Sequence, residues 1–175
     1  MDHLRKVFTT VVTCVPVLIA CAQETGGPTE LTRSRMPVQR SIDILAGGNA
    51  GPYVFFELGI ARRWDHLGGH HPSTQVVFIG AEGRVGPEMV FAPKIGAWTG
   101  GGAAGMCLGI NALYYLDGST SAACLRPEIG IGFDQFKMAY GYNILAEDIQ
   151  RVNRHMFSLA LLFSLTRDEA QPVEY

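Results

Sequence analysis

Large apolar residues alternate with small or polar residues along most of the chain between residues 39 and 166. Because successive side chains of a β-strand point to opposite faces, a period of two predicts strands. The alternation is clearest in residues 54–61, 105–114, 124–133, 136–144 and 157–165, and weaker in residues 39–47, 75–84 and 88–98. Clusters of Gly, Pro, Asn and Asp separate these segments, as turns require. The pattern therefore predicts an all-β fold of eight strands.

The dipeptide Asp117-Gly118 is a strong hairpin signal, because both central residues of the favoured turn need a positive φ. A two-residue turn at this point places Ile110 opposite Leu125, which keeps apolar residues together on one face. In this register Cys107 and Cys124 lie too far apart to form a disulfide. We therefore predict two free thiols.

A second short link lies at Asp134-Gln135. A two-residue turn there places Ile131 opposite Met138. This register also keeps the apolar residues of both strands on the same face, as sheet pairing requires.

The two faces of the predicted strands differ in composition. The apolar face carries large side chains, with aromatic residues near the strand ends: Phe133, Phe136, Tyr140, Tyr142, Phe157 and Phe163. The opposite face carries isolated charges beside Gly59, Gly96, Gly109, Gly130, Gly132 and Gly141. Glycine weakens a solvent-exposed strand but fits the narrow inside of an eight-stranded barrel. The sequence thus predicts an eight-stranded antiparallel up-and-down transmembrane β-barrel with a filled interior, whose apolar face meets lipid.

The predicted inner face carries charges that sum to zero. They are Asp43, Glu57, Lys94, Arg126, Glu128 and Lys137. Buried charges are costly unless they are paired, so a balanced set predicts a salt-bridged interior rather than an open channel. Glu82 and Arg84 also carry opposite charges that sum to zero, but they lie on a strand whose inward face the pattern does not identify clearly. The alternative is that these charges are scattered over a solvent-exposed surface.

The composition is typical of a single folded domain and gives no sign of nucleic-acid binding. The chain has 175 residues, of which 47% are hydrophobic and 17% charged, and its formal net charge is −2. A near-neutral charge lacks the basic surface that nucleic acid requires. Nineteen of the 21 glycines lie between Gly47 and Gly141. This distribution argues against a helical bundle, because glycine costs about 1 kcal/mol relative to alanine inside a helix.

The first 22 residues have the pattern of a signal peptide, with Arg5 and Lys6 before an apolar run. Cleavage after Ala22 makes Gln23 the mature terminus, whereas a lipobox interpretation leaves a lipidated Cys21. Both alternatives place the protein beyond the inner membrane of a bacterium. An N-terminal anchor or buried helix is the other interpretation. We predict a signal peptide at residues 1–22, a flexible leader at 23–38, the barrel at 39–166 and an acidic tail at 167–175.

Two segments of the second half resemble a known family. They are RPEIGIGFDQFKMAYGYNI, residues 126–144, and VNRHMFSLALLFSL, residues 152–165. They resemble the small outer-membrane β-barrel proteins of Bacteroidota. The resemblance implies an eight-stranded barrel in the cell outer membrane, surrounded by lipid and inserted by the barrel-insertion machinery through its C-terminal strand. The tail after Leu165 departs from the family pattern, in which a final aromatic residue often ends the chain.

One loop is a weak candidate for metal binding. His66, His70 and His71 lie close to Asp65, and imidazole and carboxylate groups can bind zinc or copper. Their spacing matches no specific metal motif, so we predict no metal and no other cofactor. The preceding residues, 62–64, have the sequence Arg-Arg-Trp and are interpreted as an interface anchor near lipid headgroups.

Catalysis is not expected. The pair His155 and Ser158 is close in sequence, but residues three apart on a strand point to opposite faces and form no dyad. We predict an outer-membrane barrel with a structural or surface-interaction role, without an open pore. One alternative is a soluble periplasmic or lipid-anchored barrel that binds a lipid-like ligand. The other is an outer-membrane enzyme that modifies lipids.

Overall fold

The computed structural model describes residues 38–67, 72–84, 86, 89–118 and 120–168. The predicted signal peptide, residues 1–22, lies outside the described residues. Of the predicted leader only Val38 is described, and of the predicted tail only Arg167 and Asp168.

The described residues form nine β-strands, of which seven span 12 to 14 residues each. The strands are β1 (Val38–Ala50), β2 (Val54–His66), β3 (Ser73–Arg84), β4 (Val90–Gly101), β5 (Met106–Asp117), β6 (Thr120–Phe133), β7 (Phe136–Tyr142), β8 (Ile144–Leu145) and β9 (His155–Arg167). The two-residue β8 follows β7 after a break at Asn143, and both pair with β6. Together they occupy one position in the sheet.

The sheet closes on itself. Each long strand pairs antiparallel with its neighbours in the chain, and the first strand, β1, pairs with the last, β9. The result is an eight-stranded antiparallel up-and-down barrel with β8 as an extra short strand, which confirms the fold class predicted from the alternation. Closure leaves no long strand with a free edge. No helix in the described part of the chain is long and apolar enough to cross a membrane.

One of the two predicted hairpin registers is correct and the other is wrong by two residues. Ile131 lies opposite Met138, as predicted. Ile110 lies opposite Pro127 rather than Leu125. The reason is that Asp117 is the last residue of β5, so the two-residue link is 118–119 instead of 117–118. A shift of two preserves the face of every side chain, because the side-chain period of a strand is also two.

The two described cysteines are free and buried, as predicted. Cys107 lies opposite Gly130, and Cys124 lies opposite Leu113. The corrected register therefore also keeps the thiols apart.

The barrel has two ends, which we name by the parts of the chain they hold. The terminal end holds the start of β1 and the end of β9, the end of β2 and the start of β3, and the links 102–105 and 134–135. The far end holds the links 51–53 and 146–154, the end of β3 and the start of β4, and the end of β5 and the start of β6.

Side chains inside the barrel form successive polar and apolar layers. Along β2 the inward positions from the terminal end are Asp65, Arg63, Ala61, Gly59, Glu57 and Phe55. The terminal-side apolar layer consists of Leu45, Ala61, Val76, Phe78, Trp98, Cys107 and Leu162. The far-side apolar layer consists of Phe55, Val90, Ala92, Leu113, Tyr115, Cys124 and Val152. Charged residues lie between these layers and at the terminal end.

Candidate functional site

The middle of the barrel holds an ion pair between Glu82 on β3 and Arg126 on β6. Arg126 donates from Nη1 to Glu82 Oε2 at 2.9 Å and from Nη2 to Glu82 Oε1 at 2.6 Å. The Tyr115 hydroxyl donates to Oε1 at 2.7 Å, and the Asn49 amide donates to Oε2 at 2.8 Å. All four side chains are buried. A two-point guanidinium–carboxylate contact with further hydrogen bonds is the arrangement that a buried ion pair needs.

Two lysines complete the charge balance of the centre. Lys94 Nζ lies 2.7 Å from Glu57 Oε1 and 3.8 Å from Glu82 Oε2. Lys137 Nζ lies 2.5 Å from Glu128 Oε2. We call these residues the central charge network: Glu57, Glu82, Lys94, Arg126, Glu128 and Lys137. Each acid in it faces a base, which offsets the desolvation of both charges.

The loop at residues 146–154 is tied to this network. Arg126 Nε donates to Asn143 Oδ1 at 2.7 Å, and Asn143 Nδ2 donates to the Asn153 carbonyl at 2.6 Å. The Asn153 side chain in turn accepts from Tyr53 N at 2.9 Å and donates to Tyr53 O at 2.6 Å. Val152 packs into the far-side apolar layer. The loop therefore folds inward and closes the far end.

A second cluster surrounds Arg63 at the terminal end. Arg63 Nε lies 3.1 Å from Asp43 Oδ2 and 3.3 Å from Asp65 Oδ2, and its Nη1 bonds Asp134. Thr74 donates to Asp65 at 2.8 Å. We call Asp43, Arg63, Asp65 and Asp134 the rim cluster. It holds three acids and one base, and a cavity of about 230 Å³ lies against Asp65 and Asp134.

All six residues of the predicted interior network lie inside the barrel and are at most 5% exposed. The structure separates them, however. Five belong to the central charge network, whereas Asp43 belongs to the rim cluster.

The sequence prediction missed two buried charges, Arg63 and Asp65, and left open the faces of Glu82 and Arg84. Glu82 is buried in the central charge network, whereas Arg84 is half-buried. The interpretation of Arg63 as an interface anchor is wrong, because β2 continues to His66 and its alternation turns Arg63 inward. Arg62 does lie outside, with its guanidinium 5.3 Å from the centre of the Trp64 ring. The signal that identifies the inward residues of β2 is their spacing of two along the strand, at residues 57, 59, 61, 63 and 65.

The candidate metal loop is only partly described. His66 ends β2 and is half-buried, whereas His70 and His71 lie outside the described residues. Within the described ranges, no group of three or more His, Cys, Asp or Glu side chains is placed to hold a metal ion.

His155 and Ser158 lie on opposite faces of β9, as predicted. His155 is exposed, and its Nδ1 lies 2.5 Å from the Tyr140 hydroxyl. Ser158 is buried and donates to the Ala139 carbonyl at 3.3 Å. The two side chains therefore cannot act together.

The outer face of the barrel is apolar. Leu58, Ile79 and Phe157 are each about two-thirds exposed, at 65%, 66% and 67%. Among the described strand residues, the exposed charged side chains are Arg40, Arg62 and Arg167, and all three lie near the terminal end. The six outward residues of β5 carry no charge: Met106, Leu108, Ile110, Ala112, Tyr114 and Leu116. The outer surface is thus an uncharged belt with basic residues at one edge.

The fold and its interior define a closed antiparallel barrel in which charges are enclosed and large apolar side chains face outward. No family model matches the chain, and it matches neither a curated protein nor a solved structure. The resemblance to the Bacteroidota barrels stays a prediction.

Proposed function

We propose that this barrel spans the outer membrane of a Gram-negative bacterium and serves a structural or surface-interaction role. One observation carries the proposal: the large apolar side chains lie outside, while nine charged side chains are buried inside. Soluble monomers rarely expose continuous apolar patches larger than a few hundred Å². Contact with lipid removes the cost of exposing apolar side chains to water. Membrane barrels accordingly turn apolar residues outward and polar residues inward.

The dimensions of the strands support a membrane crossing. A tilted transmembrane strand needs about 9–11 residues. The uncharged outward positions of β5 run from Met106 to Leu116, which is 11 residues. Arg40, Arg62 and Trp64 lie at the terminal end, where basic and aromatic side chains suit lipid headgroups. With the terminal end on the periplasmic side, both termini lie in the periplasm and the far-end loops face the cell exterior.

The layered interior supports a barrel without an open pore. Two apolar layers cross the inside, and the central charge network lies between them. The guanidinium groups of Arg63 and Arg126 are fully buried. Asn153 additionally holds the 146–154 loop over the far end. A hydrated ion would have to displace side chains in each layer.

The alternative functions have less support. A soluble barrel for a lipid-like ligand requires polar side chains outside and an apolar hollow inside, which is the reverse of the observed arrangement. A lipid-modifying enzyme requires a nucleophile beside a base. His155 contacts the Tyr140 hydroxyl at the far end, and its replacement by alanine should leave lipid A composition unchanged. A changed lipid pattern in that variant would favour the enzyme.

Urea extraction and gel mobility test the membrane proposal. We expect the full-length protein to stay in the membrane pellet after urea washing and to migrate faster on a gel when unboiled. A protein released by urea, without a separate folded band, would contradict membrane insertion. In planar bilayers the purified barrel should show no steady conductance, and stable open channels would contradict the closed interior.

A further inference from the structure

The outer face of the barrel carries a pair of arginines at the terminal end, on the neighbouring strands β1 and β2. Arg40 lies directly opposite Trp64, and Arg62 lies directly opposite Ile42. All four residues share the outward face, so Arg40 and Arg62 are diagonal neighbours. Residues in such positions are about 7–8 Å apart, which is within reach of long side chains. The two guanidinium groups can therefore contact the same ligand.

Trp64 holds one of the two guanidinium groups in place. The guanidinium carbon of Arg62 lies 5.3 Å from the centre of the Trp64 ring, in a cation–π contact. Trp64 is half-buried, whereas Arg40 and Arg62 are exposed. A contact with the ring face uses none of the hydrogen-bond donors of arginine. Arg62 is thus oriented by the protein while its N–H groups stay available for a ligand.

The arginine pair has no acidic partner on this face. Among the described residues, no carboxylate forms an ion pair with Arg40 or Arg62. Asp168 is joined to Arg40 only through the backbone, since its N–H donates to the Arg40 carbonyl. Arg167, the other exposed base of this end, lines the rim cavity instead. Like charges on adjacent strand positions repel each other, and an anion between the two arginines would relieve the repulsion.

The surface beside the arginine pair is apolar. Towards the middle of the barrel, β1 presents Ile42, and β2 presents Ile60 and Leu58, and all three side chains are exposed. A ligand on this face therefore meets two guanidinium groups at the edge and an apolar surface beyond them. This arrangement matches a molecule with an anionic head and hydrocarbon chains. A free anion would leave the apolar part uncovered.

We propose that Arg40, Arg62 and Trp64 form a binding site for the phosphate group of an anionic phospholipid, whose acyl chains lie along β1 and β2. The proposal rests on the membrane location proposed above. Guanidinium groups bind phosphate oxygens through parallel N–H···O hydrogen bonds. A phospholipid with a net negative charge is favoured over a zwitterionic one, because the ammonium group of a zwitterionic headgroup would lie beside two positive charges.

Quenching of tryptophan fluorescence tests the site. The full-length protein is reconstituted into vesicles of phosphatidylcholine and phosphatidylglycerol, in which the acyl chains of one lipid or the other carry bromine near the headgroup. Trp64 lies on the outer face, whereas Trp98, the second tryptophan of the chain, lies inside the barrel. At equal mole fraction we expect stronger quenching by brominated phosphatidylglycerol, which corresponds to a preference of about fivefold for the anionic lipid. Equal quenching by the two lipids would overturn the site.

Matched variants separate a binding site from a general attraction of basic residues to the membrane. Arg40→Gln and Arg62→Gln should each remove most of the preference. Arg62→Lys should weaken it, because lysine keeps the charge but lacks the planar set of donors. Arg154→Gln is the control: Arg154 is an exposed arginine that pairs with Asp148 at the far end, and its loss should leave the preference unchanged.

Three results of the variant series would contradict the site. They are a full preference in the two glutamine variants, a full preference in Arg62→Lys, and an equal loss in Arg154→Gln. The exposed positions of Arg40 and Arg62 favour normal folding of the variants, and the folded gel band checks it. The wild-type comparison of the two lipids stands without any variant.

The same experiment distinguishes failure of this site from failure of the membrane proposal. A barrel that does not enter the vesicles is quenched by neither brominated lipid, and that result would contradict both proposals. A barrel that enters the membrane without the site is quenched equally by both lipids. Inorganic phosphate added at constant ionic strength should leave the preference unchanged, and loss of the preference would assign the arginine pair to a free anion instead of a lipid.

Discussion

Arg126 and Arg63 are both fully buried, but their partners differ in exposure. Glu82, the carboxylate partner of Arg126, is fully buried between the two apolar layers. Asp134, one of the three carboxylate partners of Arg63, is 58% exposed at the terminal end, whereas the other two, Asp43 and Asp65, are buried. The rim cavity lies against Asp65 and Asp134, so water can reach two of the three partners there, whereas the centre is enclosed between two apolar layers. The comparison predicts that the cost of a buried charge depends on the exposure of its partners as well as on its own burial.

The largest difference is expected from removing each arginine. Arg126→Met leaves Glu82 in the closed centre with Lys94 Nζ, 3.8 Å away, as its nearest base, and we expect a loss of about 3–5 kcal/mol in the free energy of unfolding. Arg63→Met should cost less, because water reaches Asp134 and Asp65 from the rim cavity and Asp43 keeps the hydrogen bond from the Ser41 hydroxyl. Urea titration of the folded gel band measures both. The double variant Glu82→Met with Arg126→Met should recover part of the loss, and equal losses for Arg126→Met and Arg63→Met would contradict the comparison.

The same contrast between centre and edge is expected on the outer face. Leu159 lies near the middle of β9, whereas Leu165 lies near its terminal end, and both are exposed. Leu159→Arg should reduce the stability of the vesicle-embedded barrel by about 2–4 kcal/mol, and Leu165→Arg by about 0–1 kcal/mol, because the cost of a charge falls towards the interface. Unfolding from lipid vesicles gives both values. Equal costs at the two positions would argue against a membrane belt.

Glycines in the wall of the barrel differ in how closely the neighbouring backbone approaches them, so they also allow a comparison of tight and open positions. A Cβ atom on Gly130 would lie 2.0 Å from the Met138 carbonyl oxygen, whereas one on Gly83 meets nothing closer than 3.8 Å. Gly130→Ala should therefore cost about 1–3 kcal/mol, as overpacking does. Gly83→Ala is the control and should fold with nearly unchanged stability. Thermal unfolding of the two variants in detergent measures the difference. A Gly130→Ala variant as stable as Gly83→Ala would show that the backbone of the neighbouring strand can move away from the added methyl group.

The smallest effects are expected at the two ends. Asn153→Ala removes two hydrogen bonds to the Tyr53 backbone, and we expect a loss of about 1 kcal/mol with easier opening of the 146–154 loop. Asp134→Asn removes an exposed charge from the rim cluster and should cost less. Protease cleavage within the 146–154 loop measures the opening. Similar cleavage of both variants would show that Asn153 does not hold the loop.

Strand periodicity was enough to predict the barrel and the direction of most side chains. It failed for Arg63, because four residues, 62–65, with charged or large aromatic side chains resemble a loop although the alternation continues through them. It also placed the link between β5 and β6 one residue early, which shifts the register by two, since an aspartate before glycine can end a strand or start a turn. Both errors concern where a strand ends.

The ion-pair partners could not be predicted from the sequence for a different reason. Arg126 on β6 meets Glu82 on β3 across the inside of the barrel, and no local pattern links two such distant strands. Asn153 likewise contacts Tyr53 across a separation of 100 residues. Closure and register decide these contacts, so they become visible only when the barrel is formed.

Lipid accessibility along β9 tests the central claim, that the outward apolar face meets lipid, most directly. Spin labels are placed at Leu159→Cys and Leu161→Cys, with Asp148→Cys in the far-end loop as a control, in protein reconstituted into vesicles. Cys107 and Cys124 are buried and remain unlabelled in the folded barrel. We predict high collision rates with oxygen and low rates with an aqueous relaxation agent at positions 159 and 161, and the reverse at 148. Equal access of the aqueous agent to all three positions would contradict a membrane-spanning barrel.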